Sequence, residues 1–374
     1  MPLLEREPAL RVALNAIEQA RDGHGVTLLI SGEAGIGKST LIEHLVASLA
    51  HGQRVLKGGC EDLPSARPLG PMEDIAQAHA PRLLQAMRDA ASADVVFSAF
   101  LDLLSSGKNG TLVVFEDLHW ADQATLDLVK YVARRIARMP VVLLLSFRDD
   151  ELGAKHPLQQ LLNDLPPWSV ARLPLQPLSV TAVADLATRV GRPHTGLHEA
   201  TGGNPFYVTE VLASGVVDAR YGVPSTVRDA VQTRLSGLST AQREVLEALC
   251  VVPGRVDLGL ARALALNSTQ AIHECLARGV LVAHQGTVAF RHELARRAML
   301  DALTPARRQA RHQHVLEVLS ATPNALHPPA PPPLSRLMHH ATEAGNAARV
   351  LELAPRAARE AAAVGAHREA ALHL

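Results

Sequence analysis

Residues 32–39 read Gly-Glu-Ala-Gly-Ile-Gly-Lys-Ser, a spacing of glycines, a lysine and a hydroxyl that suits the cradling of phosphate. The glycines let the backbone turn so that successive N–H groups, and the N-terminus of a following helix, point at phosphate oxygens. Lys38 then reaches the β- and γ-phosphates, and the Ser39 hydroxyl ligates Mg2+. The candidate cradle is Gly32, Glu33, Ala34, Gly35, Ile36, Gly37, Lys38, Ser39 and Thr40. The bare pattern arises by accident in roughly 1–2% of chains this long. Here an apolar β-like run, Val26 to Ile30, precedes it and a helix-forming stretch, Thr40 to Leu49, follows, as such a loop requires. Binding of a nucleoside triphosphate is predicted.

The second half of such a site is an acidic strand end. Residues 111–122, Thr-Leu-Val-Val-Phe-Glu-Asp-Leu-His-Trp-Ala-Asp, form an apolar run ending in two carboxylates. In phosphate-loop NTPases one acid at a neighbouring strand's end holds the Mg2+ shell and another orients the attacking water. Glu116, with Ser39, is the candidate for the metal and Asp117 for the water. By itself, an apolar strand followed by two acids also describes a solvated strand end. Arg148 closes the next apolar run, Val141 to Phe147, and in a parallel sheet it emerges on the same side, where it would contact the γ-phosphate. Its plainer role is a surface arginine beside Asp149 and Asp150.

These residues need a scaffold, and the chain supplies its pattern. Short, continuously apolar runs at 26–30, 54–56, 111–115 and 141–147 alternate with amphipathic stretches, which predicts a parallel sheet with helices on both faces. From Ser179 the strands disappear, and helices are expected at 180–190, 195–201 and 205–213. Helical stretches at 226–238, 240–250 and 268–279, then a hairpin built on 280–283 and 287–290 with its turn at Gln285-Gly286, suggest a winged helix. Two further helices, 292–302 and 304–319, lead to a proline-rich linker. Residues 334–374 are Ala-rich and helical and stop without a cap, like the opening of a helical repeat array that continues further.

Composition narrows the options. A chain of 374 residues should divide into two to four domains. Lys plus Arg and Asp plus Glu number 37 each, so no global field draws the chain to nucleic acid or anionic lipid. Cys60, Cys250 and Cys275 lack metal or disulfide spacing and read as small core residues in a reducing cytoplasm. No apolar run approaches a membrane span. Arg296, Arg297, Arg307, Arg308 and Arg311 read as a solvated helix face rather than a DNA contact. His312 and His314, two apart, are poor joint metal ligands.

In order, the strings ISGEAGIGKS, GGCEDLPSARPLGPMEDIA, VFEDLHWAD, LSFRDDEL, TGGNPFYVTEVL, VPSTVRDAVQTRL and FRHELARRA resemble the large ATP-binding regulators of the LuxR family, members of the STAND class of signalling NTPases. The resemblance implies an α/β phosphate-loop NTPase domain (1–170), a helical lid (171–222), a winged helix (223–321), a linker (322–333) and the start of TPR-like repeats (334–374). It implies ATP/ADP with Mg2+ as ligands, and DNA binding only through a C-terminal helix-turn-helix absent from these residues. Carried over by position, Pro205 in Gly203-Asn204-Pro205 packs near the base. Arg6 lies near the adenine, with Glu5 in place of the usual glycine, and His292 contacts the β-phosphate. Glu116 stands where the class more often has Asp, which favours binding over fast hydrolysis. The resulting reading is a cytoplasmic switch module: ADP holds it closed, while ATP plus an inducer sensed by the repeats favours self-association. A regulatory module on a nucleotide cyclase or protein kinase is the alternative, and a free-standing motor is disfavoured for want of a second, trans-acting arginine.

Overall fold

The computed structural model describes residues 3–49, 53–63, 66–89, 92–107, 110–214, 237–265, 268–284, 286–321 and 332–373. The first unit alternates strands and helices: α1 (Glu7–Arg21), β1 (Val26–Ser31), α2 (Lys38–Ala47), β2 (Arg54–Gly59), α3 (Gly70–His79), α4 (Pro81–Arg88), α5 (Ala93–Ser105), β3 (Thr111–Glu116), α6 (Gln123–Ala133), β4 (Val141–Phe147), α7 (Pro157–Asp164) and β5 (Val170–Pro174). The strands form one sheet in the order β2-β3-β4-β1-β5, parallel throughout.

Alternation along each strand sends side chains to two separate cores. Leu28, Ile30, Leu112, Val114, Val142 and Leu144 pack on α1 and α2 through Ile17, Leu41, Ile42 and Leu45. Leu29, Leu56, Val113, Phe115, Leu143 and Leu145 pack on α3, α5 and α6 through Met72, Ile75, Phe100, Leu128 and Val129. Burial on both faces is why the strands read as unbroken apolar runs. The exceptions are the edge strands: β2 buries only Leu56 and Gly58, and β5 is barer still. Its sequence, Val-Ala-Arg-Leu-Pro, buries only Leu173, so it carries no apolar run, and the expected boundary at 170 cuts through a strand that continues the sheet to Pro174.

Three helices follow, α8 (Val180–Arg189), α9 (Leu197–Thr201) and α10 (Pro205–Ser214), sharing a small core of Val183, Leu186, Leu197, Val208 and Val211. Residues 226–236 of the helix expected at 226–238 lie outside the described residues, as does 322–331 of the linker. A second large core is built by α11 (Thr240–Cys250), β6 (Val256–Asp257), α12 (Leu258–Leu264), α13 (Thr269–Ala277), β7 (Leu281–His284), β8 (Thr287–Phe290), α14 (Glu293–Ala302) and α15 (Pro305–Ala321). Its antiparallel sheet has the order β6-β8-β7, so the expected hairpin gains a third strand, and α12 is a helix the periodicity did not single out.

The last helices are α16 (Leu334–Glu343), α17 (Ala347–Ala363) and α18 (His367–Leu372). Leu337, Met338, Leu353 and Ala357 belong to the second core, whereas Ala361, Val364, Ala366 and Ala370 join the core under the parallel sheet. The three helices therefore bridge both large cores, with α17 contributing to each. Among the described residues, no helix is long and apolar enough to cross a membrane.

Candidate nucleotide site

Strand order fixes which residues meet. β4 lies between β1 and β3, and the register places Ser31 beside Phe147, Phe115 beside Leu145, and Gly59 beside Glu116. The loop after β1, Arg148 after β4 and the acids at the end of β3 thus emerge together at the carboxyl ends of the strands, where open α/β sheets bind ligands.

The loop has the backbone its glycines allow. Gly32, Gly35 and Gly37 have φ of 144°, 79° and 99°, and a Cβ on Gly35 would come within 2.7 Å of Phe206 Cβ. Lys38 is buried, and its ammonium donates to the carbonyls of Gly32 at 2.6 Å and Glu33 at 3.0 Å. Burial depresses its pKa, with Asp117 pulling the other way. Ser39 and Thr40 are exposed on the first turn of α2.

The Ser39 hydroxyl donates to Glu116 Oε2 at 2.8 Å, and the other Glu116 oxygen is ion-paired with Lys57. Burial would raise the Glu116 carboxyl, but Lys57 and Ser39 outweigh it and hold it low. Asp117 sits at φ 55°, its N–H donating to Ser146 Oγ at 3.3 Å. Burial, then the neighbouring Glu116 charge, push its carboxyl up to about 7. A hydroxyl and two close carboxylates, one of them strained towards its neutral form, make an oxygen-only donor set suited to a hard divalent cation. The residues therefore fit Mg2+. Ser39 and Glu116 would hold it beside Asp117, where it would neutralise phosphate charge.

Arg148, just after β4, is buried rather than a surface arginine, and its guanidinium is ion-paired with Glu151 and lies 4.9 Å from the Trp120 ring centroid. Arg297 from α14 approaches the same ring at 5.4 Å and Glu151 at 3.4 Å. Arg6 donates to the carbonyls of Ile36 at 3.2 Å and Gln176 at 2.7 Å, so its donors brace the loop from beneath. Glu5 adopts φ 56°, the conformation that favours glycine there, and its carboxylate accepts from the N–H of Ser179, the N-cap of α8, at 2.8 Å.

Two later units cover the loop. The Asn204 amide donates to Glu33 Oε1 and to the Ala34 carbonyl, both at 2.9 Å, and the Phe206 N–H donates to the Gly35 carbonyl at 3.3 Å. Pro205, half-buried, opens α10. His292 is the N-cap residue of α14 without a side-chain cap, and its ring packs on Phe206 at 4.5 Å between centroids. The next turn brings Leu294 Cδ1 to within 3.2 Å of a Cβ built on Gly35. Asn204, Phe206 and His292 are thus layered over the phosphate loop.

Residues 2–145 match the family model of the AAA ATPase domain. This stretch is a phosphate-loop ATPase module. Nucleotide binding, typically with Mg2+, follows from it. An uncharacterized protein of Rhizobium meliloti (strain 1021) is 26% identical over 400 residues, which cover 85% of this chain and 37% of that protein. A solved signal transduction ATPase with numerous domains (STAND), with a tetratricopeptide repeat sensor, from Pyrococcus horikoshii is similar over 100% of this chain and 53% of its own, with TM-score 0.63 and 13% identity. That likeness is one of fold, and it extends beyond the ATPase module to all the helical regions. Cdc6p from Pyrobaculum aerophilum aligns with TM-score 0.45 at 14% identity, over 81% of this chain and 96% of its own. The chain spans 37% and 53% of the lengths of the first two proteins.

Sequence reasoning missed Lys57, which neutralises Glu116 from the neighbouring strand. It continues the run Arg54 to Leu56 on the partly exposed edge strand β2, and its pairing with Glu116 depends on strand order, so no local signal marks it. Sequence reasoning also missed Asn204, which makes the hydrogen bonds to the loop next to Pro205, the residue that the resemblance places near the base. Of the arginines assigned to a solvated face only Arg296 is buried; the others keep solvent contact, Arg307 and Arg308 most of all, while each also forms an ion pair. Arg296 binds Glu293 and the Cys250 carbonyl, Arg297 binds Asp62, Arg307 and Arg311 bind Glu247, and Arg308 binds Glu343.

Proposed function

We propose that this chain is the nucleotide-controlled switch of a LuxR-type transcriptional regulator, with residues 171–222 as lid, 223–321 as winged helix and 334–374 as the opening of a sensor repeat array. Supporting the regulator assignment is the ordered set of motifs running from the phosphate loop to FRHELARRA. Support for the switch comes from one observation: Asn204, Phe206 and Leu294, contributed by two later units, converge on Gly35 of the loop. A ligand that alters this loop must alter what covers it. ADP is the closed-state ligand in this reading. A γ-phosphate engaging Lys38, Mg2+ and Arg148 would compete for the arginine with Glu151 and Trp120 and so loosen α14, which reaches the same cluster through Arg297.

Such a switch works only if the two ligands prefer different states; moving a population from 1:99 to 99:1 takes about 5.5 kcal/mol of differential affinity. Turnover is expected to be slow, below the ~1 s⁻¹ low end of ordinary enzymes, because Lys57 competes for Glu116. Solution scattering and sedimentation of the chain in Mg-ADP and in a non-hydrolysable Mg-ATP analogue test the reading. A larger radius and self-association with the ATP analogue are expected; identical profiles would refute it.

A further inference from the structure

His312, dismissed as a partner for His314, has a different set of neighbours. It projects from α15 towards His339 and His340 on α16. The Nδ1 atoms of His312 and His340 are 3.0 Å apart, and one nitrogen from each of the three rings lies within 4.8 Å of the other two. The ring centroids are 5.0 to 5.2 Å apart. We propose that His312, His339 and His340 form a binding site for a divalent d-block cation of the zinc type, placed at the joint between α15 and α16.

Hydrogen bonding alone leaves the cluster unsatisfied. Three neutral imidazoles bring three N–H donors and three lone pairs, and the contact between His312 and His340 uses one of each. His312 Nε2, His339 Nδ1 and His340 Nε2 remain buried without a partner among the described residues. Buried polar groups in that condition are costly and rare. His312 and His340 are 1% and 0% exposed, so water offers little relief.

Coordination accounts for the geometry: the ion would take Nδ1 of His312 and His340 with the unpartnered Nδ1 of His339, and would leave the Nε2 of His312 and His340 as N–H groups facing away from it. Two imidazole nitrogens on a tetrahedral zinc with bonds of 2.0–2.1 Å sit about 3.3 Å apart, close to the observed 3.0 Å. His339 is only half-buried and can turn to supply the third nitrogen. Imidazole donors select Zn2+, Cu2+, Ni2+ or Fe2+ over Mg2+ and Ca2+, which take oxygen, so this site and the Ser39–Glu116 site would sort different cations. Arg296, Arg308 and Arg336 disfavour added positive charge here, while Glu343, one turn beyond His339, and Asp62 favour it. Burial keeps the rings neutral at ordinary pH, so no proton competes for their lone pairs.

The test is Co2+ titration of the full chain with Mg-ADP present. One equivalent should produce the visible absorption of four-coordinate Co2+, and Zn2+ should bleach it. The chain has 18 histidines, so the control is the triple variant H312N/H339Q/H340N, which should bind only weakly and without that band. H339Q, at the half-exposed position, should weaken binding at least about tenfold with the fold unchanged by circular dichroism. A band that persists in the triple variant, Co2+ binding by H339Q as tight as by the wild type, or no band in the wild-type chain, overturns the proposal. X-ray absorption on the zinc-loaded wild-type chain decides the matter even if the variants fail to fold: three imidazole nitrogens are expected, and an oxygen-only shell would refute the site.

Discussion

The Asn204 amide donates to the Glu33 carboxylate at 2.9 Å across 171 positions of sequence, joining the phosphate loop to the first residue before α10. The same amide donates to the Ala34 carbonyl, and its oxygen accepts the Phe206 N–H at 3.1 Å. Loop and cover are therefore one hydrogen-bonded unit. Replacing Asn204 by Ala takes the amide donor from the Ala34 carbonyl and the Glu33 carboxylate and leaves the Phe206 N–H with only the Gly35 carbonyl, at about 1–3 kcal/mol. A lower unfolding midpoint and several-fold faster release of a fluorescent ADP analogue in stopped flow are expected. Unchanged release would separate the cover from the nucleotide.

Lys38 is the only cation of the phosphate loop, and its present partners are two carbonyls. Lys38→Ala should abolish measurable Mg-ATP binding by calorimetry, a loss of at least about 3 kcal/mol as for other truncated buried charge pairs. The fold should survive, because the sheet core beneath does not involve the ammonium. A mutant that binds like the wild type would mean that the loop does not hold phosphate.

What the sequence disclosed, and what it hid, divides along a physical line. Gly32 to Ser39 and the pair Glu116 and Asp117 are contiguous strings whose strand context is local, so their convergence was legible once a parallel sheet was inferred. Lys57 beside Glu116, Asn204 on Glu33, and His312 with His339 and His340 depend on strand order or helix packing, which local periodicity does not encode. The ion pairs of the arginines on α14 and α15, and the burial of Arg296, were hidden for the same reason. Their partners Asp62, Glu247 and Glu343 are distant in the chain, and a paired arginine has the same helical spacing as a merely solvated one. The positive φ of Glu5 does match a position where the resembling family carries glycine.

Asp117 links nucleotide binding to protons. Its carboxyl is raised to about 7 in the fold, against about 3.9 for an unperturbed aspartate. Between these values the folded chain holds a proton that the unfolded chain has released, so this group's contribution makes stability fall as pH rises from about 4 to about 7. Asp117→Asn should remove that slope in urea midpoints measured across the range. A divalent cation favours the carboxylate, so Mg-ATP binding at pH 6.5 should expel up to one proton from the wild type and none from the variant. Calorimetry in two buffers of different ionisation enthalpy reads this directly, and equal proton release in both proteins would rule it out.

The bridge from the ATPase module to the last helices rests on Glu61. Its carboxylate is engaged by Arg336 of α16 through two nitrogens, with both side chains 10% exposed. Glu61→Gln strands a buried guanidinium and should cost about 3 kcal/mol or more if packing persists. The helices can escape that cost by detaching, which would expose residues 334–373 to protease. Adding Arg336→Met should restore much of the protection. If E61Q alone digests like the wild type, this ion pair does not hold the bridge.

His292 is where the proposed switch is most exposed to refutation. Its ring packs on Phe206, whose N–H is bonded to the phosphate loop, so one stack ties α14, α10 and the loop together. A β-phosphate contact there would matter most when no γ-phosphate competes through Arg148. His292→Ala should therefore weaken ADP about tenfold and ATP less, raising the ADP/ATP ratio of dissociation constants. Linkage then requires the ADP-bound variant to shift towards the open form, because a ligand that loses its preference for one state can no longer hold it. Affinities by calorimetry and the radius of gyration by scattering can be measured on one preparation. If both ratio and radius match the wild type, the stack contributes only packing, and ADP must be held by the loop alone.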